Sequence, residues 1–299
     1  IWSRHVRDLL SASMRVVFGA ELSEISLLHF LFYANSAGGL LPLIEVDGGA
    51  QQERFVTGAQ TVAVRMAEAL GTERVLLNAP VRSILQNDDG VVLDTARGRI
   101  RSEYAVLAVP PNLAGRIEYS PPLPADRDHY TQRVGMGRTI KIHALYNRPF
   151  WRENGLSGEA VSTGDVLSVV FDNSAPDNRQ AALVAFIVGK NGRRWARATG
   201  IERKDAVLGT LVRLFGEEAA HPTHYRELDW SEEIWTRGCP NGFYPPGAVT
   251  SLAGVARSPF GRLYWAGTET ATIWHGFMEG AVRSGERAAN DISARLTSS

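Results

Sequence analysis

Between His5 and Phe18 the apolar residues Val6, Leu9, Leu10, Met14, Val17 and Phe18 recur every three or four positions, which predicts an amphipathic helix. A second apolar run, Leu27, Leu28 and Leu31, predicts a helix over 23–37, opened by a Ser23 cap and ended by Gly38-Gly39. A glycine-bearing loop carries the polar run Gln51-Gln52-Glu53-Arg54, and a helix follows over 59–70, ended by Gly71. Short runs over 74–77, 81–86, 91–95 and 100–109 predict strands, with turns at Asn87-Asp88-Asp89-Gly90 and Arg97-Gly98 and a stop at Pro110-Pro111. Beyond the proline-rich 121–124, residues 139–146 alternate, placing Ile140, Ile142, Ala144 and Tyr146 on one face of a strand. Strands near 166–172 and 181–188 are expected to pair with it. A helix over 203–215 carries Ala206, Val207, Leu211 and Leu214 on one side. The last third reads as strand, loop, strand and a long helix from about Gly276 to Leu296.

The pattern predicts a mixed α/β (α+β) fold in two interleaved parts, one made of 56–130 with 232–299 and the other of 1–55 with 131–231. With 299 residues and 44% hydrophobic content the chain can bury a core for each. Lysine plus arginine and aspartate plus glutamate both number 32, so no basic excess points to nucleic acid. The single cysteine, Cys239, excludes an internal disulfide, and a reducing, cytoplasmic setting is expected. No apolar run reaches the roughly 18 residues that span a bilayer, and the long helix is followed by only Thr297-Ser298-Ser299, so no membrane anchor is expected. His29, His143 and His275 have no metal-ligand spacing, and neither a metal motif nor a GxSxG elbow occurs, so no metal is expected.

The most informative stretch is "YWAGTETATIWHGFMEGAVRSGERAANDI", from Tyr264 to Ile292. A buried strand breaks at Gly267, a polar Thr268-Glu269-Thr270 follows, and a helix opens with Gly276, Gly280, Ala281 and Gly285. Small residues permit close approach of a backbone or a flat ligand, and a helix start offers unpaired N–H groups to an anion. Tight helix–strand packing without any ligand reads equally well from this spacing.

The wording "AGTETA…GFMEGAVRSGERAA" resembles the carboxy-terminal signature of the flavin-dependent monoamine oxidases. "GGAQQERFVTGAQ", "AVLAVPPNLAGRIEYSPPLP", "GRTIKIHALYNRPFW" and "LDWSEEIWTRGCPNGFYPPG" are similar to further stretches of that family, so the likeness covers nearly the whole chain. The resemblance implies an FAD-binding amine-oxidase fold with a substrate domain (1–55 and 131–231) interleaved with parts of an FAD domain (56–130 and 232–299). The family's N-terminal GxGxxG segment has no counterpart here. A longer chain or a companion chain is therefore expected to supply it. The implied reaction is oxidative deamination: hydride transfer to flavin N5, imine hydrolysis and reoxidation by O2 to hydrogen peroxide. The implied partners are a small-molecule amine and O2, with a homodimer possible and neither nucleic acid nor membrane involved.

Carried onto this sequence, the resemblance gives Lys141 the place of the lysine that holds a water against flavin N5. From the residues alone, a lysine between Ile140 and Ile142 also reads as a stem that packs and a head that reaches water. Val81, Cys239, Gly267, Thr268, Glu269, Gly276 and Met278 are implied to line FAD, and Trp230 to lie near its ring. Gln51, Phe186, Pro240 and Phe277 match positions that line the substrate cavity. Pro240 and Phe277 stand where two parallel tyrosines are usual, which leaves one aromatic wall without a hydroxyl. Cys239 keeps the spacing at which some members attach FAD through a thioether, but with Pro240 in place of the usual tyrosine. Both covalent and non-covalent FAD stay open. An L-amino-acid oxidase of the same fold would need an arginine to clamp a carboxylate, for which Arg54 and Arg138 are candidates. A non-catalytic binding module is the third reading.

Overall fold

The alternation along Thr139–Tyr146 builds an interior strand of a five-stranded antiparallel sheet. In the computed structural model, which describes residues 3–176 and 180–298, the strand order is His224–Asp229, Thr139–Tyr146, Ala181–Val188, Val169–Asp172, Ala160–Val161. Ile140, Ile142, Ala144 and Tyr146 point into a core shared with Leu183, Ala185 and Ile187. The helix Gly200–Phe215 closes that core with Val207, Leu211 and Phe215. It starts on a capping box in which Thr199 and Glu202 satisfy each other's backbone N–H groups. Burying one such aliphatic side chain is worth about 1.5–3 kcal/mol, so this face sets the register of the whole sheet. The opposite face carries Lys141, His143 and Leu145.

A second body is organised around strands Val81–Asn87, Gly90–Thr95 and Gly98–Ser102, which form an antiparallel meander. Glu118–Ser120 adds to it in parallel beside Val81–Asn87. Apart from this sheet, Ala105–Leu107 pairs in parallel with Leu263–Trp265, 158 residues further along between Ala105 and Leu263. Ile84, Val91, Leu107, Leu263 and Trp265 share one core. The long helix Met278–Ser298 follows the second of these strands through a 3₁₀ turn at Thr268–Thr270.

Contacts divide the chain into two compact units: Ile1–Ile25 with Met136–Phe243, and Ser26–Gly135 with Tyr244–Ser299. Each is therefore discontinuous in sequence. Among the described residues no helix is long and apolar enough to cross a membrane.

Several elements depart from the pattern reading. The second helix begins at Leu27 instead of 23, because Glu21 and Glu24 close a separate 3₁₀ turn over Leu22–Glu24 with their own capping box. The strand expected over 74–77 does not form. Thr72–Arg74 is a 3₁₀ turn, and Leu76 and Leu77 are exposed with no strand beside them. The single strand expected over 100–109 is two strands in two different sheets, Gly98–Ser102 and Ala105–Leu107. The final helix begins at Met278, since Gly276 has φ +85° and lies outside the right-handed helical region.

Candidate functional site

In the first unit the site is built on the non-core face of the strand Thr139–Tyr146. Strand register places Lys141 opposite Phe186 on one side and Leu228 on the other. Its ammonium lies 5.4 Å from the centre of the Phe186 ring, a cation–π distance. Phe186 in turn meets Phe171 edge-on at 6.3 Å. Lys141 has no carboxylate within ion-pair distance among the described residues. Burial holds its pKa below the usual lysine value, against an opposing pull from Cys239. His143, two residues on along the same face, is likewise held below its ordinary value by burial and by Lys141.

Cys239 is fixed through its backbone. Its N–H donates to the Gly137 carbonyl at 2.9 Å, and its carbonyl accepts from Thr139 Oγ1 at 2.8 Å. Gly137 approaches so closely that a Cβ there would meet backbone oxygens of Cys239 and Phe18 at 2.4 and 2.5 Å, closer than any real Cβ contact. Burial pushes the Cys239 thiol up to about 11, with Lys141 and a hydrogen bond from Thr139 pulling the other way. Trp230 donates its N–H to the Thr139 carbonyl, while its indole Nε1 is buried without a hydrogen-bond acceptor. Pro240 is exposed. Arg138, one of the carboxylate-clamp candidates, already pairs with Asp229 at 3.0 Å.

In the second unit the strand Leu263–Trp265 leads into an elbow held by its own polar groups. Gly267 N–H donates to Ser284 Oγ, and Thr270 Oγ1 to the Gly267 carbonyl, both at 2.9 Å. Thr268 Oγ1 donates to the Phe277 carbonyl, also at 2.9 Å. The two threonines thus close the elbow with their hydroxyl hydrogens and keep only lone pairs for anything else. The Phe277 carbonyl also receives the Ala281 N–H, which makes Phe277 the residue that opens the helix. The N–H groups of Met278, Glu279 and Gly280 have no intrahelical acceptor, by the geometry of any helix start. Met278 is 48% exposed.

Glu269 lies at a cleft formed by the carboxyl ends of the parallel pair Ala105–Leu107 and Leu263–Trp265. Leu107, Val109, Arg127, Tyr130 and Trp265 also line it. In parallel α/β sheets ligands bind outside the carboxyl ends of the strands. Trp265 Nε1 is buried there with no hydrogen-bond acceptor. Val81 begins its strand opposite Thr95 and packs on the core of that sheet, and Gln51 sits exposed in its loop.

Sequence reasoning passed over a cluster behind this elbow. His275 is 1% exposed, with Nδ1 3.2 Å from the Ala271 carbonyl and its ring edge-on to His29, Phe32 and Tyr33 at 5.2–5.5 Å. The only signal was an imidazole embedded between Trp274 and Gly276 inside the most informative motif.

The profile described as flavin containing amine oxidoreductase matches residues 1–293. The chain belongs to that family. It is 41% identical over 294 residues to a probable flavin-containing monoamine oxidase A of Dictyostelium discoideum, covering 98% of this chain and 64% of that protein. Amine oxidase [flavin-containing] B of Sus scrofa is 38% identical over 295 residues, covering 97% of this chain and 56% of that protein. Cyclohexylamine oxidase from Brevibacterium oxydans superposes with a TM-score of 0.93 at 36% identity, over 99% of this chain and 66% of that one. The chain thus spans about two thirds or less of the length of these relatives, and its mixed α/β fold is the FAD amine-oxidase fold over that span.

The residues present fit a flavin. In the first unit, a lysine without a carboxylate partner among the described residues and the buried Trp230 indole N–H without an acceptor, and in the second unit by itself a helix start opening at Phe277, are each the kind of group that a flat, partly anionic ring system satisfies.

Proposed function

We propose that the full-length protein is an FAD-dependent oxidase of a small or medium-sized amine, releasing an imine that water hydrolyses. FAD, when bound, supplies the two-electron acceptor for the hydride on the carbon beside nitrogen, and then a route for the electrons to O2 that yields peroxide. In the first unit, Lys141 would hold a water against the ring. Phe186 and Phe171 beside it would give the substrate an apolar wall, and Trp230 and Cys239 would lie against the ring. In the second unit, Gly276 and the Met278 N–H stabilise negative charge on the ring at the helix start. Gly267, Thr268, Glu269 and Val81 take the polar chain and adenine half, and Phe277 and Gln51 meet the substrate. The substrate-binding role goes to the five-stranded sheet.

The observation that carries this reading is the half-buried ammonium of Lys141, 5.4 Å from the Phe186 ring, with no carboxylate within ion-pair distance among the described residues. Such a placement costs solvation and is retained where the ammonium has work to do. Of the two arginines that an L-amino-acid oxidase could use as a clamp, Arg138 already has an acid partner, Asp229, at 3.0 Å, which disfavours that reading there. A peroxide-coupled assay across aryl-alkyl amines, diamines and amino acids tests the proposal. Peroxide from a monoamine is the expected result. FAD bound with no peroxide from any of them defeats the oxidase reading, and a colourless full-length protein supports the non-catalytic module.

A further inference from the structure

The turn that delivers Phe277 is held by a different element from those it connects. Two successive N–H groups of that turn go to one residue at the end of the helix Leu27–Ser36. Trp274 N–H donates to the Ser36 carbonyl at 2.9 Å, and His275 N–H donates to Ser36 Oγ at 3.2 Å. The same hydroxyl donates to the Tyr33 carbonyl at 2.7 Å. A serine hydroxyl has one hydrogen and two lone pairs, and both functions are used at once. Ser36 is 7% exposed and His275 1%, so water does not replace these bonds.

The clamp acts where the backbone needs it. Trp274 has φ +51°, a left-handed conformation that a non-glycine residue keeps only when its surroundings impose it. Together with Gly276 it reverses the chain and sets the exit of Phe277 into the long helix. The Trp274 ring then meets the Phe277 ring edge-on at 5.3 Å, and the ring of Tyr33, one turn before Ser36, lies tilted to it at 6.2 Å.

We infer that Ser36 is a positioning residue: its hydroxyl fixes the Trp274–His275 turn and thereby the Phe277 ring and the Met278 N–H at the helix start. The inference rests on the reading of Phe277 as substrate-facing and of Met278 as flavin-facing. Ser36→Ala keeps the carbonyl bond to Trp274 and removes the bond to His275, leaving a buried N–H without an acceptor.

The test uses the FAD-loaded full-length enzyme as Ser36→Ala, Ser36→Thr and Phe277→Ala. Ser36→Ala is expected to raise KM for the amine about tenfold, the size of one buried hydrogen bond, while kcat changes less than about threefold. It is also expected to shift the visible flavin band. Ser36→Thr, which keeps the hydroxyl, is expected to restore both. Wild-type KM and flavin band in Ser36→Ala, with KM raised in Phe277→Ala, overturn the role of Ser36 and leave the proposed function standing. An unchanged KM in Phe277→Ala removes the substrate-facing reading, and the inference falls with it. If Ser36→Ala does not accumulate, Ser36→Cys, which keeps the volume with a weak acceptor, is read by the same two measurements.

Discussion

Thr139 and Cys239, 100 positions apart in the chain, are joined by a hydrogen bond of 2.8 Å from the threonine hydroxyl to the cysteine carbonyl. Thr139 is 3% exposed, so the bond lies in a dry environment. Through it the loop bearing Trp230, Cys239 and Pro240 is registered against the strand that bears Lys141. Thr139→Val keeps the shape and leaves that carbonyl without its donor. The expected cost is about 1–3 kcal/mol of stability. Denaturant melts of the FAD-loaded protein measure it, and an unchanged midpoint would show that the loop is registered by its other contacts alone.

Lys141→Met replaces the ammonium with an apolar group of similar length on the face shared with Phe186 and Leu228. The variant is expected to retain FAD, because among the described residues no hydrogen bond or ion pair uses the ammonium. Reoxidation of the reduced flavin by O2 is expected to slow by at least about tenfold, as for loss of a positioned catalytic group. Stopped-flow mixing of the reduced variant with O2 reads this directly. Reoxidation at the wild-type rate would return Lys141 to a packing role.

The alternation that exposed Lys141 is also what made the larger sheet legible. Ile140, Ile142, Ala144 and Tyr146 announce a buried face, and the remaining residues of that strand then have to lie on the other. The helices Arg4–Phe18 and Gln60–Leu70 were legible for a similar reason: each has a periodic stripe and a terminal glycine. Leu76 and Leu77 misled because an apolar run carries no record of whether a partner strand exists. Ser102 and Ala105 were merged into one strand because a switch between sheets leaves the period of two intact. Within the site, the motif residues could be named but not their mutual bonds. That Thr268 spends its hydroxyl hydrogen on Phe277, or that Ser36 reaches 239 positions along the chain to His275, is tertiary information with no local signature.

His29 and His275 face each other edge-on at 5.4 Å within the second unit. Burial lowers His29 from 6.5 to about 3, with His275 adding to it, and lowers His275 from 6.5 to about 4. The aromatic rings packed around them belong to Phe32, Tyr33 and Tyr244. Each folded-state value lies below the ordinary one, so the unfolded chain binds more protons in acid. Their contribution is complete above about pH 6.5 and is lost as the pH falls toward about 4. The slope is about 1.4 kcal/mol per pH unit for each histidine across that window. Unfolding free energies of the full-length protein at about pH 7.5 and about pH 5.5 should therefore differ by about 1–3 kcal/mol from this pair. His29→Phe should shrink that difference by roughly half. A difference unaltered by the substitution would place the acid sensitivity elsewhere.

Under the proposed function, the question at Cys239 is whether its sulfur bonds to FAD. Thioether formation needs a thiolate in contact with the ring's methyl-bearing edge, on the order of 3–3.5 Å. The backbone of Cys239 is held by Gly137 and Thr139, which fixes where the Cβ sits. Burial also pushes the thiol up to about 11, which leaves only a small fraction ionised near neutral pH. Lys141 pulls the value down but does not overcome burial. These terms favour a thiol that packs beside the ring without bonding to it. Acid precipitation of the full-length holoprotein is therefore expected to leave a colourless pellet and a yellow supernatant. Cys239→Ala should bind FAD with little change in affinity. A yellow pellet that turns colourless in Cys239→Ala would establish the thioether, and would mean that flavin binding itself lowers the thiol's pKa past the cost of burial.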